Sequence, residues 1–103
     1  MHGNDAQMLV LTALAGGPLH GYAINTAIEV LTGTRLGPGS LYGALARLEA
    51  RQLVEPAAGR SDAQDRHRTV RITAAGREAL RVELEQLARV AQAGLRALGV
   101  APA

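Results

Sequence analysis

Hydrophobic residues recur along this chain with a helical period in four places and with a two-residue period in one. Over residues 5–15, Met8, Leu9, Val10, Leu11 and Leu14 leave almost no polar side. That pattern predicts a helix buried on more than one face. Gly16-Gly17-Pro18 closes it. Residues 21–31 predict a second helix, because Ile24, Ile28 and Leu31 fall at i, i+4 and i+7 while Asn25, Thr26 and Glu29 lie off that stripe. Gly33 follows, where a left-handed end is easy for glycine. The third helix opens at Pro38, whose missing N–H costs nothing at the first helical position. Its inner stripe is Leu41, Leu45 and Leu48, and it runs to about Gln52. The opposite side is bland: Gly39, Gly43, Ala46 and Ala50, flanked by Ser40 and Arg47 on one edge and Tyr42 on the other.

The spacing then changes. Leu53-Val54-Glu55 begins a short strand, and Pro56 places it at a sheet edge. Residues 57–65 read as a loop and 66–72 as the return strand, with Val70 and Ile72 on one face and Thr69 and Arg71 on the other. Thr73 caps a last helix through its hydroxyl. Within that helix Leu80, Leu84, Leu87, Ala91, Gly94 and Leu98 keep a seven-residue repeat. A seam on a lone helix must be covered, and so must the second face of the first helix. Pairing two copies across a two-fold axis covers both. The expected interface holds Met8, Leu9, Leu11, Leu80, Leu84, Leu87, Ala91, Leu95 and Leu98. Packing of the first helix on the last within one chain is the competing account. The element order predicts a mainly α (α+β) winged helix-turn-helix over residues 5–73, with a dimerisation helix over 74–98 in the same compact unit. Residues 99–103 are expected to fray.

Composition narrows the picture. A chain of 103 residues implies one domain, near the size at which a partner subunit commonly helps. There is no cysteine, which excludes disulfides and thiolate metal sites. No segment approaches the ~20 apolar residues of a membrane span, and the start lacks the features of a secretory signal, so the expected location is the cytoplasm. The net charge of +2 is small, but its distribution is not even. All 11 cationic residues are arginine and all follow Gly33; before Arg35 the charged side chains are Asp5 and Glu29. Arginine presents a planar fork of donors that matches phosphate geometry. A genome rich in arginine codons accounts equally well for the absence of lysine, but not for the placement.

Five motifs in order resemble the PadR family of bacterial transcriptional regulators. They are Leu19-His20-Gly21-Tyr22, then Leu36-Gly37-Pro38-Gly39-Ser40-Leu41-Tyr42, then Leu45-Ala46-Arg47-Leu48-Glu49, then Leu53-Val54-Glu55, and last Arg71-Ile72-Thr73-Ala74-Ala75-Gly76-Arg77-Glu78-Ala79-Leu80. The resemblance spans residues 8–98, and the single C-terminal helix is similar to the short subfamily of compact dimers. It implies a homodimeric repressor on a palindromic operator, in many members released by a small aromatic or drug-like ligand at the subunit interface. Three features depart from the family pattern. Gly43 and Ala46 replace longer polar or basic side chains, Thr69-Val70 replaces an aromatic pair, and no Trp or Phe is present to stack a flat ligand.

The candidate chemistry is DNA recognition. Small residues at Gly39 and Gly43 let the third helix approach base edges. Arg47 reaches a phosphate, or donates twice to guanine O6 and N7 if turned inward. Ser40 and Tyr42 donate to phosphates near the helix N-terminus. Arg60, Arg66, His67 and Arg68 form the wing, whose phosphate contacts hold register without choosing sequence. Asp62 and Asp65 dilute its charge. Tyr22 stands where the second helix of such proteins abuts the duplex backbone, with packing on the third helix as its structural alternative. His20 is a capping or packing residue. His2, His20 and His67 have no metal-ligand spacing. Glu83 and Glu85 are two apart on a helix and do not face each other, and there is no nucleophile or phosphate loop, so no enzyme is expected. The reading is a sequence-specific DNA-binding regulator, a homodimeric repressor without cofactor or membrane partner. A small apolar effector between subunits is the default ligand. The alternative is a winged-helix module that binds proteins and not DNA.

Overall fold

The structure is a computed structural model that describes residues 3–57 and 68–100. Its elements are α1 (Gly3–Leu14), α2 (Gly21–Thr32), α3 (Pro38–Ala50), β1 (Val54–Pro56), β2 (Val70–Ile72) and α4 (Ala74–Ala97). The helix-turn-helix is α2 and α3, and the wing is the β1–β2 hairpin. The expected loop, the start of the return strand, and Arg60, Arg66, His67 and His2 lie outside the described residues.

The central element is α1, which touches α2, α3, α4 and β2. Val10 and Leu14 are fully buried there, beside Ile24 and Ile28 of α2 and Leu48 of α3. These five are the largest fully buried side chains, each worth about 1.5–3 kcal/mol when removed from water. Leu41, Ala44, Leu45, Leu53, Val54, Val70, Ile72 and Leu80 complete the same core.

The inner face of α2 differs from the expected stripe. Leu31 is 55% exposed, whereas Asn25 is buried. The buried arc is Gly21, Ile24, Asn25 and Ile28. Its cause is a pair of hydrogen bonds to the turn before α3: Asn25 Nδ2 donates to the Leu36 carbonyl and Leu36 N–H donates to Asn25 Oδ1, both at 2.8 Å. An amide that satisfies both backbone groups of one residue is stable inside. That pull turns Leu31 outward. Gly33 ends α2 with φ 83° and its N–H on the Glu29 carbonyl, as expected of a glycine C-cap.

The third helix is two residues shorter than expected. It stops at Ala50 because Gln52 turns left-handed, with φ 62°. Gln52 N–H donates to the Glu49 carbonyl at 3.0 Å and Leu53 N–H to the Leu48 carbonyl at 2.9 Å, the double bond of a Schellman end. A non-glycine residue there holds strain of order 1 kcal/mol.

In the sheet, Val54 pairs with Ile72, Glu55 with Arg71 and Pro56 with Val70. Leu19 exchanges both backbone hydrogen bonds with Val70 on the other side of β2, which leaves β1 and its proline at the edge. Thr73 opens α4 as expected: its hydroxyl accepts from Gly76 N–H at 2.9 Å. The same hydroxyl donates to the Gln52 carbonyl at 2.9 Å, which joins the end of α3 to the start of α4.

From residue 81 to 100 every position is exposed. Only Gly76 and Leu80 of α4 are buried. The molecule is therefore elongated, 52 × 26 × 23 Å. The competing account of α1 packed on α4 holds for the first two turns of α4 and fails beyond them.

Candidate nucleic-acid interface

The amphipathic pattern of α3 determines what it presents. Leu41, Ala44, Leu45 and Leu48 face inward. Gly39, Ser40, Tyr42, Ala46, Arg47 and Ala50 are exposed on the opposite side, and Gly43 is half-buried between them. Gly37 at the N-cap has extended backbone and Pro38 is the first helical residue. Arg47 lies back along its own helix, with one guanidinium nitrogen 3.4 Å from where a Cβ on Gly43 would sit. A side chain at 43 would therefore touch the resting arginine without displacing it, and the glycine leaves the helix backbone open to close approach.

Tyr42 reaches across to α2. A Cβ on Gly21 would meet its hydroxyl at 2.7 Å, so the glycine opening α2 seats that ring end. Tyr22 does not pack on α3. It is 69% exposed, and Arg35 lies over its ring at 5.1 Å from the centroid. His20 occupies the N-cap of α2 with extended backbone.

At the base of the wing, Arg68 Nη2 donates to Glu49 Oε1 at 2.9 Å. The described wing arginine is therefore held by the recognition helix. Arg71, on the outward face of β2, is paired with Glu55 at 2.8 Å across the ladder. Arg68 is expected among the phosphate contacts, and its tie to Glu49 joins residues 19 apart, which no periodicity reveals.

The second exposed surface is apolar. Leu84, Leu87, Ala91, Leu95 and Leu98 of the expected interface lie open on α4. Met8 and Leu9 are half-buried on α1. Leu11 and Leu80, expected in the same interface, are taken up in the chain's own core, at 5% exposure each. Between α1, the end of α3 and α4 runs a groove of about 330 Å³. Met8, Leu11, Leu53, Ala79 and Leu80 line it, together with Gln7, Arg51 and Glu83. Arg51 Nη1 donates to the buried Gln7 Oε1 at 2.6 Å. The lining is thus mixed, apolar along one part and polar along the other. Among the described residues no cluster of His, Asp or Glu could hold a metal ion, and no helix is long and apolar enough to cross a membrane.

Comparison with known proteins matches this geometry. The model of the PadR-like transcriptional regulator family matches residues 10–82. A PadR-like transcriptional regulator of Bacillus cereus has the same fold, with a TM-score of 0.74 at 22% identity over 89% of each chain. RosR of H. salinarum aligns at 29% identity with a TM-score of 0.66, over 80% of this chain and 71% of that one. An uncharacterised 37.1 kDa protein in transposon Tn4556 of Streptomyces fradiae is 62% identical over 90 residues. Those residues are 87% of this chain but 25% of that protein, so the chain spans about a quarter of its curated relative's length. The winged helix-turn-helix, the long fourth helix and the match over most of the chain together place this protein in the PadR-like family of transcriptional regulators.

Proposed function

We propose that this regulator is a cytoplasmic homodimeric repressor that binds a palindromic DNA operator, with α3 in the major groove and the wing along the flanking backbone. The observation that carries the reading is the outward side of α3. Its middle is built of small residues, Gly39, Ala46 and Ala50, uncovered by any described part of the chain, while Ser40, Tyr42 and Arg47 lie at its edges. Small residues along the middle of a side let a helix sit deep in a groove. Tyr22, Gly39, Ser40, Tyr42, Gly43 and Arg47 are the described contacts of this reading. Arg60, Arg66 and His67 belong to it as wing residues, and Arg68 sets the wing's position through Glu49.

The dimer rests on the open leucines of α4. Twenty consecutive exposed residues carrying Leu84, Leu87, Leu95 and Leu98 need a second surface. Met8 and Leu9 of a second copy are the natural cover. Two recognition helices so arranged address half-sites ~34 Å apart, or a small multiple of that distance. The groove beside α1 and α4 is the seat for an effector. Its lining favours a small molecule with an apolar body and one polar group able to meet Gln7 and Arg51.

Selection of bound fragments from genomic DNA, followed by titration across salt concentrations, tests the reading. Enrichment of an inverted repeat bound by two copies is expected, with affinity that falls steeply with salt. Recovery of no fragment at low salt, with a protein captured in its place, would sink it.

A further inference from the structure

The one arginine or lysine before Arg47 is Arg35, in the turn between α2 and α3. We propose that Arg35 is a ligand for a backbone phosphate of duplex DNA, held in a shallow depression between α2 and α3. The inference rests on the DNA-binding reading above and adds a contact to it.

The depression measures about 180 Å³, and Tyr22, Asn25, Arg35, Pro38, Leu41 and Tyr42 line it. It adjoins the edge of α3 that carries Tyr42, the flank where the phosphates beside an occupied groove pass. Arg35 is preorganised there in three ways. The next residue, Leu36, is fixed on both backbone groups by buried Asn25, so the backbone beside the arginine cannot drift. The guanidinium lies over the Tyr22 ring at 5.1 Å. Its Nη1 donates to Glu29 Oε1 at 2.8 Å and lies 3.5 Å from Thr26 Oγ1. Among the described residues Nε and Nη2 have no protein partner. An arginine fork held in place with donors to spare is suited to phosphate. The Tyr42 hydroxyl, at the same depression, supplies a further donor.

Glu29 has two opposed effects. It holds the guanidinium in place, but its carboxylate also cancels the charge a phosphate would meet. With the guanidinium already held over the Tyr22 ring and the turn fixed through Asn25, the second effect dominates. Removing that negative charge therefore strengthens DNA binding. If Arg35 were a strut that only braces α2, loss of Glu29 would loosen the turn and weaken binding or leave it alone.

The test is fluorescence anisotropy of the full chain on two duplexes across a salt series. One duplex is of mixed sequence and the other is the fragment recovered by selection. Arg35→Ala should lower affinity several-fold on both alike, and reduce the slope of log affinity against log salt by about 0.9, the value of one lost phosphate contact. Glu29→Gln should raise affinity several-fold on both. An unchanged slope in Arg35→Ala, or equal or weaker binding by Glu29→Gln, overturns the inference while the regulator reading stands. Should Arg35→Ala fail to fold, Glu29→Gln decides alone. If the unaltered chain shows no salt-dependent binding to either duplex, the DNA-binding reading falls and takes this contact with it.

Discussion

Helix α3 leaves one side uncovered and α4 beyond Leu80 is uncovered all round, and the side of α3 and the leucine side of α4 differ in chemistry. That of α3 carries Gly39, Ser40, Ala46 and Arg47. That of α4 carries Leu84, Leu87, Leu95 and Leu98, the last 78% exposed. Water tolerates the first side at no cost. It penalises each leucine of the second in proportion to the area left open, a fraction of the about 1.5–3 kcal/mol that full burial of such a side chain is worth. An uncovered polar side with an arginine at its rim is a surface that works while bare. An uncovered leucine side is half of something. On the proposed reading, the first side meets DNA and the second meets another copy of the chain.

The largest test of that contrast is the double change Leu84→Asp with Leu87→Asp. It should turn a sedimenting dimer into a monomer, with a loss of roughly 3 kcal/mol or more of association energy. Unaltered protein that already sediments as a monomer would erase the distinction. Next is Gly76→Ala, at the point where α4 still belongs to the body. A Cβ there would stand 2.1 Å from the Leu53 carbonyl oxygen, a backbone atom that cannot step aside. About 3 kcal/mol of stability should be lost in thermal unfolding, whereas Gly94→Ala, with open space around it, should be tolerated. Thr73→Ala removes the cap of α4 and the donor to Gln52 together, and should cost about 2 kcal/mol. Thr73→Ser should restore most of it.

Smaller effects sharpen the view of the wing. A double-mutant cycle between Glu49→Gln and Arg68→Gln should give a coupling of about 0.5 kcal/mol, since both side chains are partly open to solvent. On DNA the two single changes should weaken binding similarly. If Glu49→Gln instead tightens it, Arg68 touches phosphate directly. The smallest effect concerns pH. Hydrogen bonding from Arg81 and its charge hold the Glu78 carboxyl below its usual value of 4.5. A depressed folded value means that the pairing stabilises α4 above the unfolded value and is lost as pH falls through the folded one. Helicity should therefore drop slightly on acidification below about pH 4.5, and Glu78→Gln should flatten that drop.

Much of this was legible in the chain. The leucine stripe of α3, the alternation of Val70 and Ile72, and the Thr73 cap follow from local spacing and side-chain chemistry, and all three are present. What spacing could not reveal depends on partners distant in sequence. Leu31 fits the apolar period of α2 as well as Ile28 does, yet Asn25 wins the inside because Leu36 offers it two backbone partners. Gln52 gives no sign of a left-handed turn, since the residue usual there is glycine. Arg35 lay outside the motif just behind it, and only folding brings Tyr22 beneath its guanidinium. Arg68 reads as one more wing cation until α3 supplies Glu49.

A single threonine hydroxyl bridges the last turn beyond α3 and the first turn of α4. The long helix is thereby moored to the body at the turn that ends the proposed recognition helix, with no loop between the two. In the proposed dimer, that mooring ties the placement of the outer turns of α4 to the orientation of α3.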